Sequence, residues 1–166
     1  MRDALIGLGA NLGDALGTLR AALADLQRLP ACQLLRVSSN YRSAPVDASG
    51  PDYCNAVAML RSALPARELL AALQAIERAH GRERPAGLHN APRTLDLDLL
   101  WVDGVQLDEA GLTLPHPRMQ LRAFVLAPLA EIAPHWRLAD GEPAAAAARR
   151  LCAQGQRICR GEALLR

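Results

Sequence analysis

The chain has 166 residues, a hydrophobic content of 51% and a formal net charge of +2. Its length and apolar content predict one domain over residues 1–166 with a sizeable core, and so small a charge indicates no broad polyanion-binding surface. All 19 basic residues are arginine, which excludes a lysine Schiff base and a Walker-type phosphate loop, because both need a lysine.

The first part of the chain predicts strands around one helix. Leucines at helical spacing predict a helix over residues 15–29, with Asp14 as its cap and Pro30 at its end. Residues 42–51 contain prolines and a glycine and predict a loop. Apolar runs or alternating patterns predict strands over residues 3–10, 33–41 and 53–62.

The second part begins with a helix over residues 66–80, which Pro65 opens and Gly81 ends. Residues 81–91 show no apolar period and predict a mobile loop, and a strand follows over residues 96–102.

The remaining residues predict smaller elements. Asp103-Gly104 is a hairpin signal, and the tail after Gln154 shows no clear pattern. Between them, the sequence predicts an extended stretch over 112–117, a helix over 122–133, a short edge strand over 136–138 and an alanine-rich helix over 143–153.

The order of the first six main elements is strand, helix, strand, strand, helix, strand. This order is typical of a ferredoxin-like β-α-β-β-α-β sandwich of the α+β class. The later elements predict extra C-terminal helices and strands on that sandwich.

The segment 92–100, Pro-Arg-Thr-Leu-Asp-Leu-Asp-Leu-Leu, carries the clearest chemical pattern. On a strand, Asp96 and Asp98 share one face about 6 to 7 Å apart, while Leu95, Leu97 and Leu99 share the other and can be buried. Two carboxylates this close repel each other unless a cation lies between them. Carboxylate oxygens on a rigid strand suit Mg²⁺, which takes further ligands from water and substrate phosphates.

Arginines precede this strand in the sequence, and they favour the hypothesis that the two aspartates bind a metal ion together with phosphate groups. Arg82, Arg84 and Arg93 precede the two aspartates, and guanidinium groups bind phosphates well. The alternative is a solvent-facing strand edge, which is the more frequent explanation of an isolated Asp-x-Asp.

Other patterns are weaker. The glycines of segment 7–13 do not fit a dinucleotide fingerprint, because Leu12 stands where the third glycine is required. They indicate a close approach to the backbone or a tight turn. Tyr53 and Asn55 share a strand face that can hold a flat heterocycle, although a half-buried tyrosine with a hydrogen-bonding neighbour is the better explanation of this pair taken alone. His116 lies between two prolines and is typical of a loop.

The cysteines and the N-terminal residues indicate where in the cell the protein is expected. No Cys-x-x-Cys pair or zinc-site spacing is present, and no signal peptide or membrane-length apolar segment is visible. We therefore expect a soluble cytoplasmic protein.

Several ordered segments resemble the 6-hydroxymethyl-7,8-dihydropterin pyrophosphokinase family of the folate pathway. The signature-like segment is 92–98, and the similarity extends over most of the chain. The other segments are 7–13, 39–45, 51–56, 115–119 and 122–129.

The resemblance implies roles for individual residues. Asp96 and Asp98 would bind two Mg²⁺ ions that bridge the ATP phosphates, and Arg82 and Arg93 would act with them in transfer. The implied pterin-binding residues are Ser43, Ala44, Pro45, Val46, Tyr53, Asn55 and Phe124. The implied ATP-binding residues are Gln74, Glu77, Arg84, Arg93, Leu99, Thr113, His116 and Arg122.

The implied reaction transfers the terminal pyrophosphoryl unit of ATP to the pterin hydroxymethyl oxygen and leaves AMP. We further expect a monomer that binds ATP and the pterin, without a nucleic-acid or membrane partner. His89 and Asn90 stand where the family often carries Arg-Trp, so a non-catalytic pterin- or nucleotide-binding relative is the alternative. An RNA-binding module is the third hypothesis, although the chain lacks the aromatic spacing of that mode.

Overall fold

A computed structural model describes residues 1–45, 50–81 and 95–165 and shows an α+β protein. The strands are β1 Arg2–Ala10, β2 Cys32–Val37, β3 Ser39–Ser43, β4 Tyr53–Ser62, β5 Asp96–Val102, β6 Leu107–Glu109, β7 Leu112–Leu114 and β8 Ile158–Ala163. The helices are α1 Ala15–Arg28, α2 Ala66–Ala79, α3 Ala123–Ile132 and α4 Ala144–Ala153, with a 3-10 turn at Met119–Leu121.

The main sheet has six antiparallel strands. Its order is β5-β1-β4-β3-β8, and β2 also pairs with β4. Helix α1 connects β1 to β2, and α2 connects β4 to β5, so the predicted β-α-β-β-α-β arrangement is confirmed. The extra C-terminal helices are confirmed as well, as α3 and α4.

Helices cover both faces of this sheet. One core contains Ile6 of β1 with Leu23 of α1 and Leu73 of α2. The opposite core contains Leu5 of β1 with Leu126 of α3, and other residues of α3 and α4 complete it. Adjacent residues of β1 therefore enter different cores, as the alternation of side chains along a strand requires.

Local signals explain where the first two helices begin. The Asp14 side chain accepts a hydrogen bond from the Gly17 N–H at 3.0 Å, which confirms it as the cap of α1. Pro65 immediately precedes α2, and Gly81 beyond its end has a φ of +78°. Within the described ranges, no helix is long and apolar enough to cross a membrane.

The prediction of one continuous strand over residues 33–41 is wrong. The segment forms two strands, β2 and β3, which are separated at Ser38. The Ser38 N–H donates to the Val57 carbonyl at 3.0 Å, while the Ser38 hydroxyl oxygen accepts from the Val57 N–H at 3.0 Å. A side-chain oxygen thus takes the place of a backbone carbonyl in the ladder, and the pairing is interrupted there.

Three further predictions need correction. A turn does form at Asp103-Gly104, but the paired strands are β6 and β7, joined around Gly111 with a φ of +79°. The edge strand predicted over 136–138 is reduced to one bridge between Arg137 and Pro143. The tail contains β8, whose pattern is weak because nearly all of its residues are exposed.

Candidate active site

Asp96 and Asp98 project from β5 into a cleft on one side of the sheet. Asp96 lies opposite Gly9 of β1, and Asp98 lies opposite Gly7. Both aspartates are half-buried, while the alternating leucines of the predicted apolar face, Leu95, Leu97 and Leu99, are buried in the core. The two carboxylates therefore line a cavity, and the alternative of an ordinary solvent-facing strand edge does not describe them.

The larger cavity beside them has a volume of about 410 Å³. Most of the residues implied to bind a pterin line it: Ser43, Ala44, Tyr53, Asn55 and Phe124. Pro45 follows Ala44 but is not part of this lining. Tyr53 comes from β4 and Phe124 from the first turn of α3, so two different elements contribute aromatic rings to one cleft.

Asn55 has a fixed orientation in this cleft. Its side-chain amide donates to the Tyr41 carbonyl at 2.9 Å and to the Ser43 hydroxyl at 2.8 Å. Its Oδ1 lies 3.6 Å from the position that a Cβ on Gly9 would occupy. Because both amide hydrogens are directed at β3, the acceptor end of Asn55 is presented on the Gly9 side.

Arg122 connects the aromatic side of the cleft with the aspartates. Its Nη1 lies 3.9 Å from Asp98 Oδ2, and its Cζ lies 5.5 Å from the centroid of the Phe124 ring. Arg122 lines the larger cavity, where its guanidinium is placed to neutralise negative charge near Asp98.

A smaller cavity of about 290 Å³ lies on the other side of Asp98. Its lining includes residues implied to bind ATP: Gln74, Glu77, Leu99, Thr113 and His116. Asp98 lines both cavities. The two groups of side chains proposed from the sequence therefore meet at one carboxylate.

Hydrogen bonds and nearby charges fix the position of His116 beside the smaller cavity and favour its neutral ring. Its backbone N–H donates to the Leu100 carbonyl at 2.7 Å, and its ring Nδ1 accepts from the Arg118 N–H at 3.1 Å. Burial lowers the pKa of His116, and the positive charges of Arg122 and Arg118 lower it further, while Asp96 opposes them. A neutral ring agrees with the acceptor role of Nδ1.

Some sequence-predicted residues lie outside the described ranges. They are Val46, Arg82, Arg84 and Arg93, together with His89 and Asn90. The predicted mobile loop over residues 81–91 also lies outside them, apart from Gly81.

Sequence reasoning missed several residues of the larger cavity. Arg118 belongs to the segment 115–119 that carries part of the resemblance, so its proximity to His116 was a usable signal. Gln156 had no such signal, because it lies in the tail after Gln154, where the sequence shows no clear pattern. The other lining residues that were not predicted as site residues are Gly7, Leu8, Gly9, Ala56, Leu121 and Val125.

The two aspartates fit a magnesium ion in donor chemistry. Among the residues that the structure describes, no group of three or more His, Cys, Asp or Glu side chains forms a potential metal site. Mg²⁺ characteristically binds through one or two carboxylates and completes its shell with water and substrate phosphates. Asp96 and Asp98 beside two cavities provide that partial set.

Comparison with known proteins adds independent findings. A model of the family "7,8-dihydro-6-hydroxymethylpterin-pyrophosphokinase (HPPK)" matches residues 5–134. A Synechocystis sp. protein named 2-amino-4-hydroxy-6-hydroxymethyldihydropteridine pyrophosphokinase is 48% identical over 133 residues, which cover 80% of this chain and 67% of that protein. A Pseudomonas aeruginosa protein of the same name is 47% identical over 137 residues, which cover 82% and 83% of the two chains.

Solved structures share the fold. The Plasmodium falciparum HPPK-DHPS wild type with pterin and p-hydroxybenzoate superposes with a TM-score of 0.70 at 12% identity. The match covers 92% of this chain and 43% of that one, so the chain spans less than half of the solved protein. At this identity the likeness supports the α+β fold.

Proposed function

Because this chain belongs to the 7,8-dihydro-6-hydroxymethylpterin-pyrophosphokinase family, we propose that its paired cavities perform the transfer that this name describes. The terminal pyrophosphoryl unit of ATP passes to the hydroxymethyl oxygen of 6-hydroxymethyl-7,8-dihydropterin, and AMP leaves. The observation that carries the proposal is the position of Asp98, which lines both cavities.

The larger cavity is proposed to hold the pterin. Tyr53 and Phe124 line it, and their flat rings suit stacking on a planar heterocycle. Asn55 presents its Oδ1 on the Gly9 side, where it can accept hydrogen bonds from ring N–H groups. We assign Ser43 and Ala44 to the same site, and we keep Pro45 and Val46 as predictions from the sequence.

The smaller cavity is proposed to hold the base and sugar of ATP. We assign this role to Gln74, Glu77, Leu99, Thr113 and His116. The triphosphate would then extend past Asp98 towards Arg122, whose guanidinium faces that carboxylate. Arg82, Arg84 and Arg93 remain sequence-based proposals for binding the phosphates.

Asp96 and Asp98 are proposed to hold Mg²⁺, and two ions are proposed from the resemblance. When bound, Mg²⁺ neutralises phosphate charge and orients the transferring group. The chain itself positions the reacting groups. Strand β5 fixes the two aspartates, and Arg122 faces the proposed path of the phosphates. The aromatic rings orient the pterin and its hydroxymethyl group. Positioning and charge neutralisation are the main requirements of phosphoryl-type transfer.

The other hypotheses have less support. RNA binding on the sheet is disfavoured because helices α1 to α4 cover both of its faces in the described residues. One domain, a monomer and a cytoplasmic location stay predictions from the sequence.

The proposal is tested by measuring AMP formation from ATP. We expect AMP only when Mg²⁺ and the hydroxymethyl pterin are both present, with the pterin diphosphate formed in equal amount. Binding of both ligands without AMP would instead identify a non-catalytic relative, and formation of ADP would contradict transfer of a pyrophosphoryl unit.

A further inference from the structure

Gln156 lines the larger cavity although it lies beyond residues 5–134, which match the family model. It belongs to the segment between α4 and β8. The residues implied by resemblance therefore do not include it, and its position in the cavity needs a structural explanation.

The end of α4 delivers Gln156 to the cavity. Gly155 has a φ of +112°, and its N–H donates to the Cys152 carbonyl at 3.1 Å. The Gln156 N–H returns to the Leu151 carbonyl at 3.1 Å. These two bonds form a Schellman motif, which ends a helix and sets the direction of the chain that follows.

The Gln156 side chain then binds the backbone on both sides of Arg122. Its Oε1 accepts from the Ala123 N–H at 2.8 Å, and its Nε2 donates to the Leu121 carbonyl at 2.8 Å. Ala123 is the first residue of α3, so its N–H has no intrahelical acceptor and needs one from elsewhere. The side-chain amide of Gln156 thus caps α3 and fixes the backbone that leads into this helix.

This contact determines where two proposed site residues point. Arg122 has an extended backbone with φ −123° and ψ 111°, and from there its guanidinium approaches Asp98 and the Phe124 ring. Phe124 follows directly within the first turn of α3. A shift of the Leu121–Ala123 backbone would displace both side chains together.

We propose that Gln156 is a positioning residue of the pterin-binding site, which holds Phe124 and Arg122 in place through the backbone between them; this rests on the function proposed above. Its role is separate from anchoring the C-terminal strand. Strand β8 has its own antiparallel pairing with β3, and Arg160 of β8 contacts Glu131 at 3.4 Å.

The test compares Gln156→Met with Gln154→Met in the full chain. Methionine keeps the length of glutamine and removes both hydrogen bonds, while Gln154 is exposed two residues earlier and serves as the matched control. Binding of 6-hydroxymethyl-7,8-dihydropterin and of a non-hydrolysable ATP analogue is measured separately by titration. Thermal unfolding of each variant is recorded alongside.

We expect Q156M to bind the pterin about tenfold more weakly than Q154M, because loss of both hydrogen bonds releases the Leu121–Ala123 backbone that holds Phe124 and Arg122 in the cavity. Binding of the ATP analogue should also weaken, but by less than about threefold, because Gln156 does not line the smaller cavity and affects the triphosphate only through Arg122. If Q156M does not fold, Gln156→Glu replaces it. This variant keeps the acceptor for Ala123 but cannot donate to Leu121, and we expect pterin affinity to fall about threefold or more.

Equal pterin affinity in the two methionine variants overturns the role of Gln156. An equal loss for pterin and ATP analogue also overturns it, because that result indicates general loosening. Absence of pterin binding in the unaltered protein overturns the proposed function itself, and it is seen before any variant is compared.

Discussion

The buried carboxylate of Glu77 accepts a hydrogen bond at 2.7 Å from the backbone N–H of Leu97, the residue between Asp96 and Asp98. Strand β5 is at the end of the sheet order, with β1 as its neighbour. Glu77 therefore satisfies an N–H on the outer edge of β5 and ties α2 to the strand that carries both aspartates. This contact gives Glu77 a positioning role beside its proposed place near ATP.

Replacing Glu77 should test its positioning role. Glu77→Ala leaves a buried N–H without its acceptor, so we expect a loss of about 1 to 3 kcal/mol in the free energy of unfolding. The concentration of Mg²⁺ needed for half-maximal activity should rise, because the strand under Asp96 and Asp98 is less restrained. Glu77→Gln keeps an oxygen acceptor and should lose less stability. Urea unfolding and Mg²⁺ titration of activity measure the two effects.

The matched control for Glu77 is Glu68→Ala, an exposed glutamate in the first turn of the same helix. It should change the free energy of unfolding by less than about 1 kcal/mol and leave the Mg²⁺ requirement unchanged. An equal Mg²⁺ requirement in E77A and E68A would contradict the positioning role of Glu77.

Neutralising either aspartate should remove Mg²⁺-dependent activity while preserving the fold. Asp96→Asn and Asp98→Asn keep the shape of the side chain, and each should lower kcat at least about a hundredfold, since metal stabilisation contributes several kcal/mol. Chelation by EDTA should abolish AMP formation by the unaltered protein. Asp108→Asn, on the exposed strand β6, should retain full activity. Substantial turnover by D98N would refute the metal assignment.

Much of the fold could be predicted because its signals are local. The leucine stripe and Asp14 predicted α1, and alternation predicted β4 with its observed bounds. The break at Ser38 could not be predicted, because it depends on a hydrogen-bond exchange with Val57 of another strand. Strand β8 was missed since an exposed edge strand needs no apolar alternation.

The candidate site could be predicted where its functional residues lie close together in the sequence. The pair Asp96 and Asp98 could be read from a single strand. The bond between Glu77 and Leu97 joins distant parts of the chain, and so does the bond between Gln156 and Ala123. Backbone partners of this kind leave no residue-type pattern, because every residue except proline supplies the same N–H group.

Gly9 offers a selective way to narrow the larger cavity. A Cβ there would lie 3.6 Å from Asn55 Oδ1 and 4.0 Å from Tyr53 Cδ1, both ordinary contact distances. Gly9→Ala should therefore fold normally, while its methyl group occupies space beside the Asn55 acceptor. We expect KM for the pterin to rise about tenfold or more, with KM for ATP nearly unchanged.

The control for this variant is Gly17→Ala, a half-buried position in α1 next to the Asp14 cap. Its added Cβ displaces the Asp14 side chain and weakens the cap, while alanine favours the helix over glycine. We expect KM for both substrates to stay unchanged. Unchanged pterin KM in G9A would show that the substrate does not approach β1 at Gly9.

Tyr41 provides a test at alkaline pH of the contacts that support Asn55. The Tyr41 hydroxyl donates to Glu131 Oε1 at 2.8 Å, and its backbone carbonyl accepts from the Asn55 amide. Burial raises the pKa of Tyr41 to about 12 from 10.0, and the hydrogen bond to Glu131 and its negative charge add to this effect, while Arg160 opposes it. The folded state thus favours the neutral phenol.

The sign of the pH dependence follows from this raised pKa. The stability that Tyr41 contributes is fully present below pH 10, where the phenol is neutral in both the folded and unfolded states, and it is lost as pH rises from 10 towards about 12. The chain has two tyrosines, so the absorbance change of the unaltered protein minus that of Tyr41→Phe isolates Tyr41. We expect this difference to develop well above pH 10. Glu131→Gln should move it to lower pH, whereas Glu162→Gln, an exposed carboxylate paired with Arg20, should not. A midpoint near 10 in the unaltered protein would contradict the burial and the Glu131 contact together.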